Sequence, residues 1–113
     1  MIKHITLTTD YGLHDAYVAA VKGQLLRQHP AAQLLDISHN ISTYNLQEAA
    51  YLLKNAYHFF PDGSLHLVDV SNHSLPAVDF MLFAYEGHHF VMPNNGLASL
   101  LTENAYLDFY IVP

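Results

Sequence analysis

Ile5-Thr6-Leu7-Thr8-Thr9-Asp10-Tyr11-Gly12 alternates apolar and hydroxyl-bearing side chains, then breaks into a carboxylate, an aromatic ring and a glycine. Alternation of this kind over residues 2–8 predicts a strand. Asp10 and Gly12 end it, because Asp bonds to nearby backbone and Gly adopts conformations closed to other residues. Residues 15–28 follow with Ala16, Val18, Ala19, Ala20, Val21, Leu25 and Leu26, a largely apolar helix that His29-Pro30 stops. Asp15 stands at its N-cap or in its first turn, where a carboxylate faces the positive helix end. A strand that ends in a polar turn and feeds a helix is the unit of an open α/β sheet, and ligands of such sheets bind beyond the carboxyl ends of the strands.

Outward from this unit the pattern continues. Residues 33–37 read as a second strand ending in the polar turn 38–40. Residues 45–59 read as a second helix with Asn45 as N-cap and Glu48 three positions on, a capping-box-like pair. After a turn at 61–63 come a strand over 64–70, a polar loop over 71–76 and a hairpin, 77–85 and 88–92, about Glu86-Gly87. A tight turn at 93–96, a short helix over 97–102 and a strand over 106–112 complete the chain. The order β-α-β-α-β-β-β-α-β predicts an α/β fold: a mainly parallel sheet flanked by helices, with one antiparallel hairpin. We expect one domain over residues 1–113, without repeats or low-complexity segments. The last strand runs up to Pro113, which fits a boundary before a second domain.

The chain has 113 residues, of which 51% are apolar, enough for one core. Only 12% are charged, below the usual quarter. Either part of the surface is buried against another subunit or domain, or Asn, Gln, Ser, Thr and His carry its polarity. The formal charge of −6, with three Lys and the single Arg27, leaves no basic patch for phosphates, so nucleic acid is not an expected partner. There is no cysteine, hence no disulfide or thiolate chemistry. No apolar run has the length to cross a bilayer, and the start reads as a strand and not a signal peptide. A cytoplasmic protein without a membrane partner is the expectation.

Three polar turns follow predicted strands, at 9–15, 38–44 and 69–74. They share one edge if the first three strands are parallel neighbours, and the turn at 93–96 can join them. There Asp10 suits a pair of ligand hydroxyls, since a carboxylate accepts two hydrogen bonds at once, and Asp15 suits an ammonium group. The plainer alternatives are an Asx-turn for Asp10 and a helix cap for Asp15. No glycine-rich phosphate loop occurs. The nine histidines include no H-x-x-x-H or H-E-x-x-H, and His88 and His89 point to opposite faces of a strand, so we expect no metal.

The run Leu7-Thr8-Thr9-Asp10-Tyr11-Gly12, with Asp15-x-Tyr17-Val18 and Lys22-Gly23, resembles the S-adenosyl-L-methionine (SAM) hydroxide adenosyltransferases, relatives of the SAM-dependent fluorinases and chlorinases. The likeness continues through Leu35-Asp36-Ile37-Ser38-His39-x-Ile41 and Phe60-Pro61-x-Gly63-Ser64-Leu65-His66, then Phe90-Val91-x-Pro93-Asn94-Asn95-Gly96-Leu97. It spans nearly the whole chain in order. The resemblance implies attack of water on the ribose C5′ of SAM, with SAM or adenosine as ligand and no further cofactor. It places Asp10 at the ribose hydroxyls, Asp15 and Tyr17 near the methionine portion, Tyr44 in an aromatic wall, Asn95 at the ligand side and Tyr11 among the SAM-binding residues. It also implies a homo-oligomer, a trimer, completed by a C-terminal β-barrel that this chain lacks.

The family activates water with an Asp, an Arg and a His. Asp69 corresponds to the family Asp if one residue is deleted from the strand, and an ungapped alignment places Ser71 there instead. No Arg follows Arg27, and the family His belongs to a later segment. His73 is a candidate substitute for the lost cation or base. The sequence therefore fits the N-terminal domain of a divergent SAM hydrolase. It also fits an inactive domain that binds SAM or adenosine or serves oligomerisation, and an α/β domain with no retained ligand.

Overall fold

The order of strands and helices expected from the sequence is the order observed. The computed structural model describes residues 2–72 and 78–112. In chain order the elements are β1 (His4–Thr9), α1 (Tyr17–Gln28), β2 (Gln33–Ser38), α2 (Leu46–Lys54), a 3₁₀ turn (Tyr57–Phe59), β3 (Leu65–Asp69), β4 (Phe80–Tyr85), β5 (His88–Pro93), α3 (Leu97–Thr102) and β6 (Phe109–Val112). The six strands form one sheet, ordered β2-β1-β3-β5-β4-β6. β1 pairs in parallel with β2 and β3, and β3 with β5, while β4 runs antiparallel to β5 and β6.

From β1 the chain crosses to β2 on one side and then comes back past β1 to β3. Right-handed crossovers in opposite directions place α1 and α2 on opposite faces. They also open a crevice between the carboxyl ends of β1 and β3, where the direction of winding reverses. On the α2 face, Ala49, Ala50 and Leu53 of α2 and Leu97 and Leu101 of α3 close over Val68, Met81, Phe83, Phe90 and Met92. Phe83 and Phe90 stack with ring centroids 5.3 Å apart, and truncating either to Ala would cost about 3–5 kcal/mol. The α1 face is thinner. α1 buries none of its residues fully, and Val18, Val21 and Leu25 are only half-buried.

Several boundaries differ from expectation. Asp15 is not the N-cap of α1: its Oδ1 accepts the N–H of its own neighbour Ala16 at 2.6 Å, so Ala16 caps the helix without a side-chain hydrogen bond. Asn45 does cap α2, accepting the Glu48 N–H at 3.0 Å, while Glu48 Oε1 reaches past it to the Ser42 N–H at 3.0 Å. α2 stops at Lys54 instead of running to residue 59, and the 3₁₀ turn follows. The hairpin turn has Glu86 and Gly87 at φ +50° and +81°, the left-handed pair a two-residue connection needs. β4 begins at Phe80, with Ala77 outside the described residues, and β6 begins at Phe109, leaving Tyr106 exposed outside it. Among the described residues, no helix is long and apolar enough to cross a membrane.

Candidate functional site

The turns that leave the strands at the reversal of winding are bonded to one another. Asp10 follows β1, and its Oδ2 accepts the Ser71 N–H at 2.8 Å, just beyond β3. The Asp10 N–H reaches the Asp69 carbonyl at 3.4 Å, and the Tyr11 hydroxyl donates to the Asp69 carboxylate. Asn95, from the turn after β5, donates Nδ2 to the Val70 and Ser71 carbonyls at 3.0 and 3.4 Å. On the other flank the Gly12 N–H donates to the His39 carbonyl at 2.7 Å. The polar turns expected to share one edge therefore do so. Ser71 sits at φ +55°, a conformation costly for a residue with a Cβ, held here by bonds at both its N–H and its carbonyl. Its Oγ is buried with no hydrogen-bond partner among the described residues.

Between these turns and α1 lies a cleft of about 680 Å³ lined by Asp10, Tyr11, Tyr17, Ala20, Gln24 and Thr43. That volume falls in the range of small-molecule sites. A cavity of about 180 Å³ lies against the sheet itself, lined by Leu7, Thr9, Leu67, Asp69 and Val91. Tyr11 and Val21 line both spaces. The Tyr11 and Tyr17 rings meet edge to face, centroids 6.2 Å apart. Burial raises the Tyr11 pKa well above its ordinary value, and the Asp69 carboxylate adds to the rise. The phenol is thus held as a neutral donor toward Asp69.

Of the residues singled out in the sequence, Asp10, Tyr11 and Tyr17 line the cleft, and Asp69 is joined to it through the Tyr11 hydroxyl. Asn95 faces the backbone of the turn after β3. Asp15 is exposed, with Oδ1 engaged by Ala16, and it does not line the cleft. Tyr44 is 67% exposed at φ +65°, and its neighbour Thr43 supplies the cleft wall on that side. His73 lies outside the described residues.

Sequence reasoning missed a set of side chains beneath the Asp10 turn. Thr9 Oγ1 and His39 Nδ1 are 2.7 Å apart, His39 Nε2 is 2.7 Å from Asp36 Oδ1, and Lys22 Nζ of α1 is 2.7 Å from Asp36 Oδ2. Thr9 and His39 are both about 95% buried. Partial burial works to raise the Asp36 pKa, but the hydrogen bonds from Lys22 and His39 outweigh it and the net shift is downward. The available signal was an Asp and a His three apart astride a strand end. A second buried set joins Thr6 of β1, His66 of β3 and His88 of β5, with His66 Nδ1 2.6 Å from Thr6 Oγ1 and His66 Nε2 3.1 Å from His88 Nδ1.

Comparison with known proteins bears on what this edge does. Residues 5–111 match the family described as SAM hydroxide adenosyltransferase N-terminal domain. An (R)-S-adenosyl-L-methionine hydrolase of Methanocaldococcus jannaschii is 34% identical, covering 88% of this chain and 39% of the relative. One of the same description from Thermus thermophilus is 30% identical, covering 88% and 38%. A crystal structure of an uncharacterized conserved protein from Thermotoga maritima superimposes with a TM-score of 0.86 at 25% identity, covering 96% of this chain and 43% of that one. The chain thus spans about two fifths of the length of the relatives it matches.

Proposed function

Because the chain belongs to the SAM hydroxide adenosyltransferase N-terminal domain family, we propose that its β1/β3 edge is the ribose- and methionine-facing part of a site that hydrolyses SAM to adenosine and L-methionine. The observation that carries this reading is the convergence of Asp10, Tyr11 and Asp69 at the reversal of winding, beside a cleft of small-molecule size. Asp10 at the cleft wall suits the ribose hydroxyls, and the Tyr11 and Tyr17 rings suit the apolar flank of the methionine chain. This reading also assigns Asp15 to the methionine ammonium and Tyr44 to an aromatic wall; both are exposed and outside the cleft lining, so each would meet the ligand from the solvent side. Asn95 acts from behind, by holding the turn that carries Ser71.

The chemistry asks little of the protein. A sulfonium leaves without an acid, so the C5′–S bond breaks as a water oxygen bonds to C5′ and gives up a proton. The site must align oxygen, carbon and sulfur and strip the nucleophile of solvent. Asp69 is our candidate for orienting that water. In this reading residues 1–113 are the N-terminal α/β domain of the protein, and the site is completed in a homo-oligomer, a trimer.

A second reading is binding without turnover, favoured by one observation: residues 68–76, the stretch in which the family carries the Arg of its water-activating set, contain no Arg. Calorimetry with SAM, adenosine and methionine tests the site, and heat with SAM that Asp10→Ala abolishes supports it. Chromatography of the same mixtures for adenosine and methionine separates hydrolysis from binding. Absence of heat with all three ligands would remove both readings.

A further inference from the structure

We infer that His39 is a positioning residue for the ligand-facing turn, acting through Thr9 from beneath the cleft; its effect on ligand rests on the site proposed above. The carboxylate of Asp36 can only accept, so His39 Nε2 must carry the proton it donates at 2.7 Å. With one proton on the ring, Nδ1 is an acceptor, and the Thr9 hydroxyl donates to it across 2.7 Å. The Thr9 oxygen in turn accepts the Tyr11 N–H at 3.2 Å. The His39 carbonyl takes the Gly12 N–H at 2.7 Å, so side chain and backbone of one residue hold both ends of the Tyr11-Gly12 segment. Lys22 of α1 closes the series on the second Asp36 oxygen, tying the helix over the cleft to the same chain.

Every donor in this series meets an acceptor in only one assignment of protons. Such a chain fixes its members more firmly than isolated pairs do, particularly where burial excludes water from Thr9 and His39. The residue it fixes is Tyr11, whose ring lines the cleft and whose hydroxyl reaches Asp69. None of the four relay side chains except Thr9 borders either cavity space, and none is placed to touch a ligand in the main cleft.

The test uses the full chain and five proteins: the parent, Thr9→Ser, Thr9→Val, His39→Ala and His39→Gln. Glutamine offers one acceptor and one donor at nearly the imidazole spacing, so it can restore the relay where alanine cannot. The ring proton and the Tyr11 amide are followed by nitrogen-proton NMR, SAM affinity by calorimetry, and melting temperature alongside. We expect the proton on Nε2 of His39, a Tyr11 amide that loses hydrogen-exchange protection in Thr9→Val and His39→Ala, and its recovery in Thr9→Ser and His39→Gln. SAM affinity should fall about tenfold in the first pair and within about twofold in the second. A His39 proton on Nδ1, an unaltered Tyr11 amide, or affinities that follow melting temperature regardless of the rescuing substitution would overturn the inference. If the parent binds no SAM, the proposed site fails, while the NMR arms still decide whether His39 sets Tyr11.

Discussion

Tyr11 and Asp69 lie 58 residues apart and meet where β1 and β3 end, the phenol donating to the carboxylate. Neither strand could hold its turn in this way alone. The bond exists because β1 and β3 are parallel neighbours in register, with Thr9 opposite Asp69. Removing the donor leaves a half-buried carboxylate with one hydrogen bond fewer. Tyr11→Phe should therefore lower stability by about 1.5 kcal/mol in urea unfolding, the usual worth of a hydrogen bond to a charged group. On the proposed function it should also weaken SAM binding while leaving the secondary structure seen by circular dichroism unchanged.

Asp10 has two separable tasks, tethering Ser71 and facing the cleft. Asp10→Asn keeps an acceptor for the Ser71 N–H and should cost less than about 1 kcal/mol, whereas Asp10→Ala leaves that N–H without its partner and should cost about 1–2 kcal/mol. Both should abolish heat with SAM if the charge of Asp10 matters to the ribose. Binding that survives in Asp10→Asn would mean that hydrogen-bond acceptance alone is enough.

The architecture was legible because most local signals agreed with one another: the 5–9 run forms a strand, Asn45 caps α2 and the 93–96 stretch turns, while Glu86 enters the hairpin turn at φ +50°, a conformation its Cβ disfavours. What failed was local competition. Asp15 was expected to cap α1, and its carboxylate is instead occupied by the adjacent Ala16 N–H. Residues 15–28 read as a largely apolar helix, and within it Leu26 and Tyr17 are exposed at 43% and 63%. A one-dimensional pattern tells which residues are apolar, not whether the described chain supplies enough surface to cover them. In the site, Asp10 and Tyr11 were visible as residues of a strand-ending turn. The Thr9–His39–Asp36–Lys22 series was not, because it joins three elements and each member has an ordinary local role.

The buried pair His66 and His88 should make folding sensitive to mild acid. Burial lowers both pKa values, and the neighbouring His88 helps bring His66 down to about 4. Unfolded histidine titrates near 6.5, so between about pH 6.5 and 4 the unfolded chain binds a proton that the folded chain refuses. The contribution is therefore intact above pH 6.5 and is lost as pH falls, at up to about 1.4 kcal/mol per pH unit for His66. Urea unfolding from pH 7 to 4.5 should show this slope. His66→Phe, whose ring can stack on Phe90 as the imidazole does, should flatten it even if it lowers stability at pH 7 by orphaning the Thr6 hydroxyl.

Asn45 and Glu48 give a simpler check on the second helix. The cap bond from Glu48 N–H to Asn45 Oδ1 is 3.0 Å, and α2 carries Ala49, Ala50 and Leu53 into the core. Asn45→Ala should cost about 1 kcal/mol and Asn45→Asp or Asn45→Ser only a few tenths. A loss well above that from alanine, measured by chemical unfolding, would show that the 42–45 turn is held by Asn45 itself and not merely continued by it.

Tyr44 separates stability from function most directly. It adopts φ +65°, a region disfavoured for a bulky side chain and tolerated by Asn, and two thirds of its surface is exposed, so its ring contributes little packing to offset the strain. On the proposed function this residue serves the neighbouring cleft, where Thr43 forms the wall. Tyr44→Asn should then raise stability by about 0.5–1 kcal/mol in urea unfolding and weaken SAM binding in the same protein. A gain in stability with unchanged affinity would remove Tyr44 from the site. A loss of stability would mean that its exposed ring carries packing within this chain.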